Sequence, residues 1–182
     1  LIKLNEFTNI EEDTDEQIAE FINCSHKQVF VMAEYHDKDT NIKVPIKGLI
    51  DLVPALDSPF AKDLGDLKTC RNAAPFAWNR TVFEYGYHVQ AALYLDAYVC
   101  ATGEDRISFR HILQESFPPW EPAKRILSAE FIELGRVTYL NALRRYCECL
   151  ATGVWPGYDE DGRFVLEGWL LSEPEAFMLN PK

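Results

Sequence analysis

Two aspartates and a lysine combine residue types that could do chemistry together: Asp51 ends the stretch Gly48-Leu-Ile-Asp51, and Asp66 and Lys68 lie in Gly65-Asp-Leu-Lys68. A carboxylate that ends or interrupts an apolar strand is desolvated and needs a partner. Two such carboxylates on neighbouring strands repel each other, and a divalent cation relieves that repulsion. Mg²⁺, for which Mn²⁺ can substitute, prefers hard oxygen ligands and keeps several waters, which can supply a nucleophile. The pattern therefore predicts a metal site at Asp51 and Asp66.

Lys68 follows Asp66 by two residues, so in a strand the two side chains point to the same face. An ammonium there can orient or activate an attacking water and stabilise charge that develops on phosphate oxygens. Together the three residues could supply the nucleophile source, the charge sink and the leaving-group partner that phosphodiester hydrolysis needs. An Asp-x-Lys pattern also occurs by chance as a solvated charge pair on surface strands, so the motif alone leaves that alternative open.

Three predicted strands must position this trio. Residues 28–35 are rich in β-formers, residues 42–53 alternate and pair with them in antiparallel fashion, and residues 63–69 form the third strand. The longest helical stretch is 79–101, with an apolar side at helical spacing. On that helix Gln90 and Tyr94 are four apart and share a face, although Tyr94 could equally be core and Gln90 a surface or capping amide.

The remaining elements complete a mixed architecture. Residues 107–114 form a strand, residues 115–122 hold three prolines and cannot be regular, and residues 128–150 form a second long helix. The order of helix, three strands, helix, strand and helix predicts an α/β (α+β mixed) fold with a central mixed β-sheet flanked by helices.

Three segments in this order resemble the PD-(D/E)XK nuclease superfamily: Gly48-Leu-Ile-Asp51, Asp66-Leu-Lys68-Thr69 and Tyr87-His-Val-Gln90-Ala-Ala-Leu-Tyr94. Within it they are similar to the RecB-like branch, and most of all to the exonuclease VIII (RecE-type) domain of phages and prophages. Later segments extend the resemblance over about residues 28–169: Gln114-Glu115 followed by Pro118-Pro119, Glu133-Leu-Gly-Arg136 and Trp155-Pro-Gly-Tyr158.

The resemblance implies a restriction-endonuclease-like core and a role for each matching residue. Asp51 and Asp66 would be metal ligands, with the Leu67 backbone carbonyl as a possible third. Lys68 would be the catalytic lysine, and Gln90 and Tyr94 would support the site or touch the DNA end. The family also implies a Mg²⁺-dependent exonuclease that digests one strand of linear double-stranded DNA from 5′ to 3′ in phage-type recombination. Its partners would be duplex ends, a single-strand annealing protein and further copies of the chain in a ring-shaped homo-oligomer.

One family feature has no clear counterpart, because a further His or Glu ligand is expected on an upstream helix. Glu34 and His26 are the nearest candidates, although Glu34 falls on a predicted strand. Glu115 could also face the site, whereas His88 is expected to be exposed or packed. Trp155 and Tyr158 are expected to pack, with stacking on a base as the alternative. The missing ligand keeps a second function open, a catalytically silent nuclease-fold module that binds DNA or a recombination partner.

Length and composition fit one nuclease-like domain over residues 1–182, with residues expected to be missing upstream because the chain begins with Leu1. Scattered cysteines and the lack of a signal peptide or a membrane-spanning run indicate a reducing cytoplasm. The net charge of −11 is unfavourable for DNA and predicts weak nonspecific binding. The central segment nevertheless carries Lys62, Lys68, Arg71, Arg80, Arg106, Arg110, Lys124 and Arg125.

Overall fold

The structure is a computed structural model that describes residues 15–157. Within these residues the chain forms four helices and five strands. In chain order they are α1 (Asp15–Asn23), β1 (Ser25–His36), β2 (Lys43–Pro54), β3 (Asp63–Cys70), α2 (Pro75–Glu84), α3 (Tyr87–Thr102), β4 (Ser108–Glu115), β5 (Pro122–Ile126) and α4 (Ala129–Thr152). None of these helices combines the length and the apolar character needed to span a membrane.

The strands form one sheet in the order β1-β2-β3-β4-β5. β3 and β4 are parallel, because α2 and α3 connect them, and all other neighbours are antiparallel. The predicted mixed sheet with flanking helices is therefore confirmed. The short strand β5 was not predicted, since the prolines of residues 115–122 indicated irregular chain. Its first residue is Pro122, a position at the start of an edge strand where proline is tolerated.

The long helix predicted over residues 79–101 is wrong in one respect, because it is two helices. α2 begins earlier, with Pro75 in its first turn, where a missing N–H costs little. It ends before Gly86, whose φ of 66° is left-handed and interrupts the helical path. α3 then starts at Tyr87 in a new direction. The glycine thus sets the orientation of the helix that carries Gln90 and Tyr94.

Helices cover both faces of the sheet. On one face, α1 packs its Phe21 so closely that a Cβ on Gly65 would lie 2.6 Å from the Phe21 ring. On the other face, α2 and α3 enclose the larger core, and α4 packs on α3. A Cβ on Gly135 of α4 would lie 2.1 Å from the His88 carbonyl oxygen, so these two helices touch backbone to backbone. α3 is consequently held between the sheet and α4.

Candidate active site

The two aspartates of the predicted trio lie on adjacent antiparallel strands. Leu52 of β2 pairs with Gly65 of β3, and the neighbours of this pair, Asp51 and Asp66, have carboxylates close enough to interact. Asp66 is 2% exposed, whereas Asp51 is partly exposed. The negative charge of Asp51 acts on Asp66 and contributes to a raised pKa there. The structure therefore brings the two carboxylates together, as their spacing predicted.

Both oxygens of Asp51 are held by donors from neighbouring strands. Gln28 Nε2 donates to Asp51 Oδ1 over 2.6 Å, and the backbone N–H of Leu67 donates to Oδ2 over 3.0 Å. Gln28 itself adopts a left-handed conformation with φ of 53°, which few residues other than glycine adopt. These two bonds fix the Asp51 carboxylate beside Asp66. The Leu67 backbone is thus at the site, and the role of its carbonyl as a ligand stays a prediction.

Asp66 is buried next to a cation of its own chain. Burial raises its pKa to about 6, the hydrogen bond and charge of Lys68 oppose that rise, and Asp51 adds to it. Lys68 Nζ forms an ion pair with Asp66 Oδ2, and Gln90 Nε2 donates to Asp66 Oδ1 over 3.4 Å. The site thus contains one ammonium group and two neighbouring carboxylates, so its negative charge is not fully balanced. A divalent cation fits this donor set because it would supply the balancing charge.

Lys68 is placed by aromatic packing as well as by charge. Its side chain is 18% exposed, and Nζ lies 4.8 Å from the centroid of the Tyr87 ring. A cation over an aromatic face is attracted by the ring's quadrupole. The ammonium is therefore confined between Asp66 and Tyr87 instead of extending into solvent, which is the position from which it could act on a phosphate near the carboxylates.

Gln90 and Tyr94 do share the sheet-facing side of α3, but they differ in what they touch. Gln90 reaches Asp66, whereas the Tyr94 ring packs on the β1–β2 hairpin and on Phe109. A Cβ on Gly48 would lie 3.1 Å from Tyr94 Cε1, so the glycine makes room for this ring. Within residues 15–157 the Tyr94 hydroxyl forms no hydrogen bond. The contacts of Tyr94 are those of a packing residue behind the site.

The structure does not bring the two upstream candidates to the carboxylates. Glu34 lies six residues beyond Gln28 on β1, about 20 Å along a strand, and pairs with Lys43 over 2.7 Å. His26 is exposed and forms no hydrogen bond to Asp51 or Asp66 in the described part of the chain. The weak assignment of Glu34 as a metal ligand is thus corrected. Among residues 15–157 no group of three or more His, Cys, Asp or Glu side chains could hold a metal ion.

Glu115, His88 and Trp155 each contact other parts of the protein and not the two aspartates. Glu115 is buried, but its Oε1 accepts from the Ala73 N–H over 2.9 Å and so ties the end of β4 to the loop after β3. His88 is buried between helices, with Nδ1 3.3 Å from the Val82 carbonyl oxygen, in agreement with the packed alternative. Trp155 packs its ring edge against Tyr146, and Tyr158 lies outside the described residues.

Gln28 and His111 also lie at the site, although the sequence did not predict either of them. His111 of β4 pairs with Asp66 of β3 and is fully buried among the rings of Trp78, Tyr87 and Phe109. Burial, with a smaller contribution from the charge of Lys68, lowers its pKa to about 3, so the ring is neutral. Neither ring nitrogen has a hydrogen-bond partner among residues 15–157. Alternation along β4 could have placed His111 on the inner face, but nothing in the sequence pairs β4 with β3.

A mixed sheet that brings two carboxylates and a lysine to one face defines a protein with the PD-(D/E)XK nuclease fold. Residues 10–165 match the model of the family described as "PDDEXK-like domain of unknown function (DUF3799)", and the chain belongs to that family. The superfamily indicated by the ordered motifs is thus confirmed. Among proteins with curated functions, no match to this sequence was found.

Two solved structures align with this chain. A crystal structure named "Putative exonuclease" from Eubacterium rectale aligns with a TM-score of 0.55 and 17% identity over 84% of this chain and 57% of that chain. A crystal structure of SSO0001 aligns with a TM-score of 0.41 and 15% identity over 78% of this chain and 64% of that one. The chain spans less than two thirds of the length of either. At 17% identity, the first alignment shows a shared fold.

Proposed function

We propose that this chain is a metal-dependent deoxyribonuclease that hydrolyses phosphodiester bonds of linear double-stranded DNA. The observation that carries the proposal is the convergence of Asp51, Asp66 and Lys68 from adjacent strands in a domain of the PDDEXK-like family. Mg²⁺ is the proposed ion, with Mn²⁺ able to substitute, because the donor set consists of hard carboxylate oxygens.

The residues of the site would divide the work. Asp51 and Asp66 would hold the ion, with the Leu67 carbonyl as a further oxygen, and Gln28 and Gln90 keep the carboxylates in place. A bound divalent cation supplies positive charge and a water of lowered pKa. Lys68, held against Tyr87, would donate hydrogen bonds to the attacking water or to the phosphate oxygens as negative charge develops there.

The finer assignments rest on the resemblance to exonuclease VIII domains. They are 5′-to-3′ digestion of one strand, a role in phage-type recombination, assembly into a ring-shaped homo-oligomer, cooperation with a single-strand annealing protein and a cytoplasmic location. All five assignments are part of the proposal. The direction of digestion can be determined from the products that form when end-labelled duplexes are cleaved.

Replacement of Lys68 by alanine tests the mechanism. Lys68→Ala should reduce the rate of cleavage of linear duplex DNA in Mg²⁺ by about 100-fold or more, the size seen when a charge-stabilising donor is lost. Lys47→Ala removes an exposed lysine of β2 and should cleave at the wild-type rate. Wild-type cleavage by Lys68→Ala, with circular dichroism showing both variants folded, would contradict the mechanism.

The second candidate is a catalytically silent nuclease-fold module that binds DNA or a recombination partner. It is favoured by the described donor set, which holds two carboxylates and no group of three metal-binding side chains within residues 15–157. Calorimetric titration with Mn²⁺ separates the two functions. Binding that Asp51→Asn and Asp66→Asn each abolish supports the nuclease, whereas no measurable binding, also in any longer natural form of the protein, supports the silent module.

A further inference from the structure

Most cations of the central segment are engaged within the protein. Ion pairs join Lys62 to Asp105, Lys68 to Asp66, Arg106 to Glu104 and Arg110 to Asp63. Lys124 donates to Gln17, and Arg125 donates to the Ala73 carbonyl oxygen. Of the eight central cations, Arg71 and Arg80 form no ion pair with any residue of the described chain. Of these eight cations, Arg71 and Arg80 are therefore the ones best able to contact a polyanion near β3.

Arg71 lies just beyond the end of β3 and three residues after Lys68, a chain span of at most about 10 Å. It is exposed, and its guanidinium carbon lies 5.4 Å from the centroid of the Phe117 ring. Phe117 follows β4, the parallel neighbour of β3, so both residues sit at the carboxyl end of the two strands. In open α/β sheets, ligands bind at the carboxyl ends of parallel strands, and β3 and β4 form the parallel pair of this mixed sheet.

The loop that carries Phe117 presents two aromatic rings to solvent. Phe117 is 52% exposed and Trp120 is 56% exposed. Trp120 has a φ of 66°, a left-handed conformation that is strained for a bulky residue. A strained and exposed tryptophan contributes little to the core, so its placement calls for another explanation.

Hydrogen bonds hold this loop rigidly beside Arg71. The Trp120 N–H donates to the Phe117 carbonyl over 3.0 Å, and Gln114 Nε2 donates to the Trp120 carbonyl over 2.8 Å. The Ser116 N–H donates to the Cys70 carbonyl over 2.8 Å, which ties the loop to the residue before Arg71. The loop backbone that carries the rings is thus held in place before any ligand arrives, which reduces the entropy lost on binding.

We propose that Arg71, Phe117 and Trp120 form a platform for single-stranded DNA, in which the rings stack on unpaired bases and Arg71 contacts a phosphate. Aromatic rings beside a cation bind single strands because every unpaired base offers a face for stacking. A duplex conceals those faces, so the two exposed rings favour an unpaired strand. The proposal deepens the proposed nuclease function, since the platform would hold the unpaired strand next to Lys68.

Binding is best tested without cleavage. The affinity of the full chain for a short fluorescein-labelled oligothymidylate, and for a blunt duplex of equal length, is measured by fluorescence anisotropy in EDTA. Trp120→Ala and Phe117→Ala should each weaken binding of the single strand by about 10-fold or more. Arg71→Ala should weaken it and also reduce its dependence on salt concentration. Duplex binding should be weaker than single-strand binding and change little.

Trp120→Gly separates binding from folding. Glycine adopts a positive φ without strain, so this variant should unfold at a temperature no lower than the wild type and still lose single-strand affinity. Trp155→Ala and Arg144→Ala are matched controls, since they remove an exposed tryptophan and an exposed arginine elsewhere and should bind as the wild type does.

Two results would overturn the platform. One is wild-type single-strand affinity in Trp120→Gly and Phe117→Ala, and the other is an equal loss in the Trp155→Ala control. Failure of the nuclease proposal is recognised separately, because cleavage would then not depend on Lys68. Single-strand binding in EDTA would be unaffected by that failure. If instead the platform proposal alone fails, cleavage still depends on Lys68, whereas the Phe117 and Trp120 variants bind the single strand as the wild type does.

Discussion

At the scale of single residues, the least expected member of the site is Gln28. The Asp51 carboxylate has one oxygen bound by Gln28 and the other by the Leu67 N–H. No motif marks this glutamine in the sequence, because its role depends on the pairing of β1 with β2 and on its own left-handed backbone. In the proposed metal site, Gln28 would orient the ligand Asp51, and loss of such an orienting residue typically lowers metal affinity about 10- to 100-fold.

Gln28→Ala should therefore weaken Mn²⁺ binding by about 10-fold or more, the range typical for loss of a partner that orients a ligand. Isothermal titration calorimetry measures the change. Gln114→Ala removes a glutamine that bonds to the Trp120 carbonyl, away from Asp51, and should leave the affinity for Mn²⁺ unchanged. Equal affinities in Gln28→Ala and the wild type would show that Asp51 needs no such support.

His111 makes stability depend on pH in a defined direction. Its pKa is about 3 in the folded protein and about 6.5 when unfolded, so below pH 6.5 only the unfolded chain takes up the proton. The free energy of unfolding should therefore fall as pH falls from 6.5 towards 3, by about 2 kcal/mol at pH 5. His111→Leu should lose this contribution and gain stability relative to the wild type at pH 5.

Urea unfolding of both proteins at pH 7 and pH 5 measures this difference. The raised pKa of Asp66 works in the opposite direction but is present in both proteins, so the comparison isolates the histidine. His26→Leu removes an exposed histidine and should show the pH dependence of the wild type. An identical pH dependence in His111→Leu would mean that the ring is protonated in the folded state.

At the scale of elements, the contact between α3 and α4 positions the site from behind. α3 carries Gln90 to Asp66, and α4 presses on α3 where Gly135 meets the His88 backbone. Gly135→Ala should destabilise the fold by about 1–3 kcal/mol, the usual cost of added volume in a packed interior. Gly157→Ala meets no atom within 4 Å and is the matched control. Chemical denaturation that gives equal stabilities would mean that the helices separate without cost.

How far the elements could be predicted depended on the range of the determining interactions. The strands that carry Asp51 and Asp66 were placed to within a few residues, because alternation is a local signal. The break at Gly86 was missed because helical spacing continues on both sides of it, and one glycine inside a helix pattern is tolerated. The register that puts Gln28 beside Asp51 and His111 beside Asp66 could not be predicted, since register between strands leaves no local pattern.

At the scale of the whole molecule, charge and fold pull in different directions. The family match and the fold define a nuclease-like domain, whereas a net charge of −11 repels its proposed substrate. The internal ion pairs do not relieve this conflict, because they neutralise most central cations, whereas Arg71 and Arg80 form no ion pair within the described residues. The overall charge could be counted from the sequence, but which cations were available could not.

Single-strand binding should accordingly depend only weakly on salt. With one or two phosphate contacts, the plot of log affinity against log salt concentration should have a slope of about −1. Anisotropy titrations at several salt concentrations measure it, and Arg71→Ala should flatten the slope while Arg144→Ala should not. A steep slope in the wild type would indicate that many more cations than Arg71 contact the strand.

The ion pair between Lys68 and Asp66 sets up a competition at the site. Without a metal ion, the Lys68 ammonium already neutralises the Asp66 carboxylate. An incoming cation must therefore displace the ammonium from Asp66 each time it binds. Lys68, the residue proposed to act in catalysis, thereby lowers the affinity of the site for the metal ion. The fraction of sites that hold a metal ion should therefore rise gradually with the free metal concentration. Lys68→Ala would then fill at lower metal concentrations than the wild type while cleaving far more slowly, so that tight binding would mark the inactive protein.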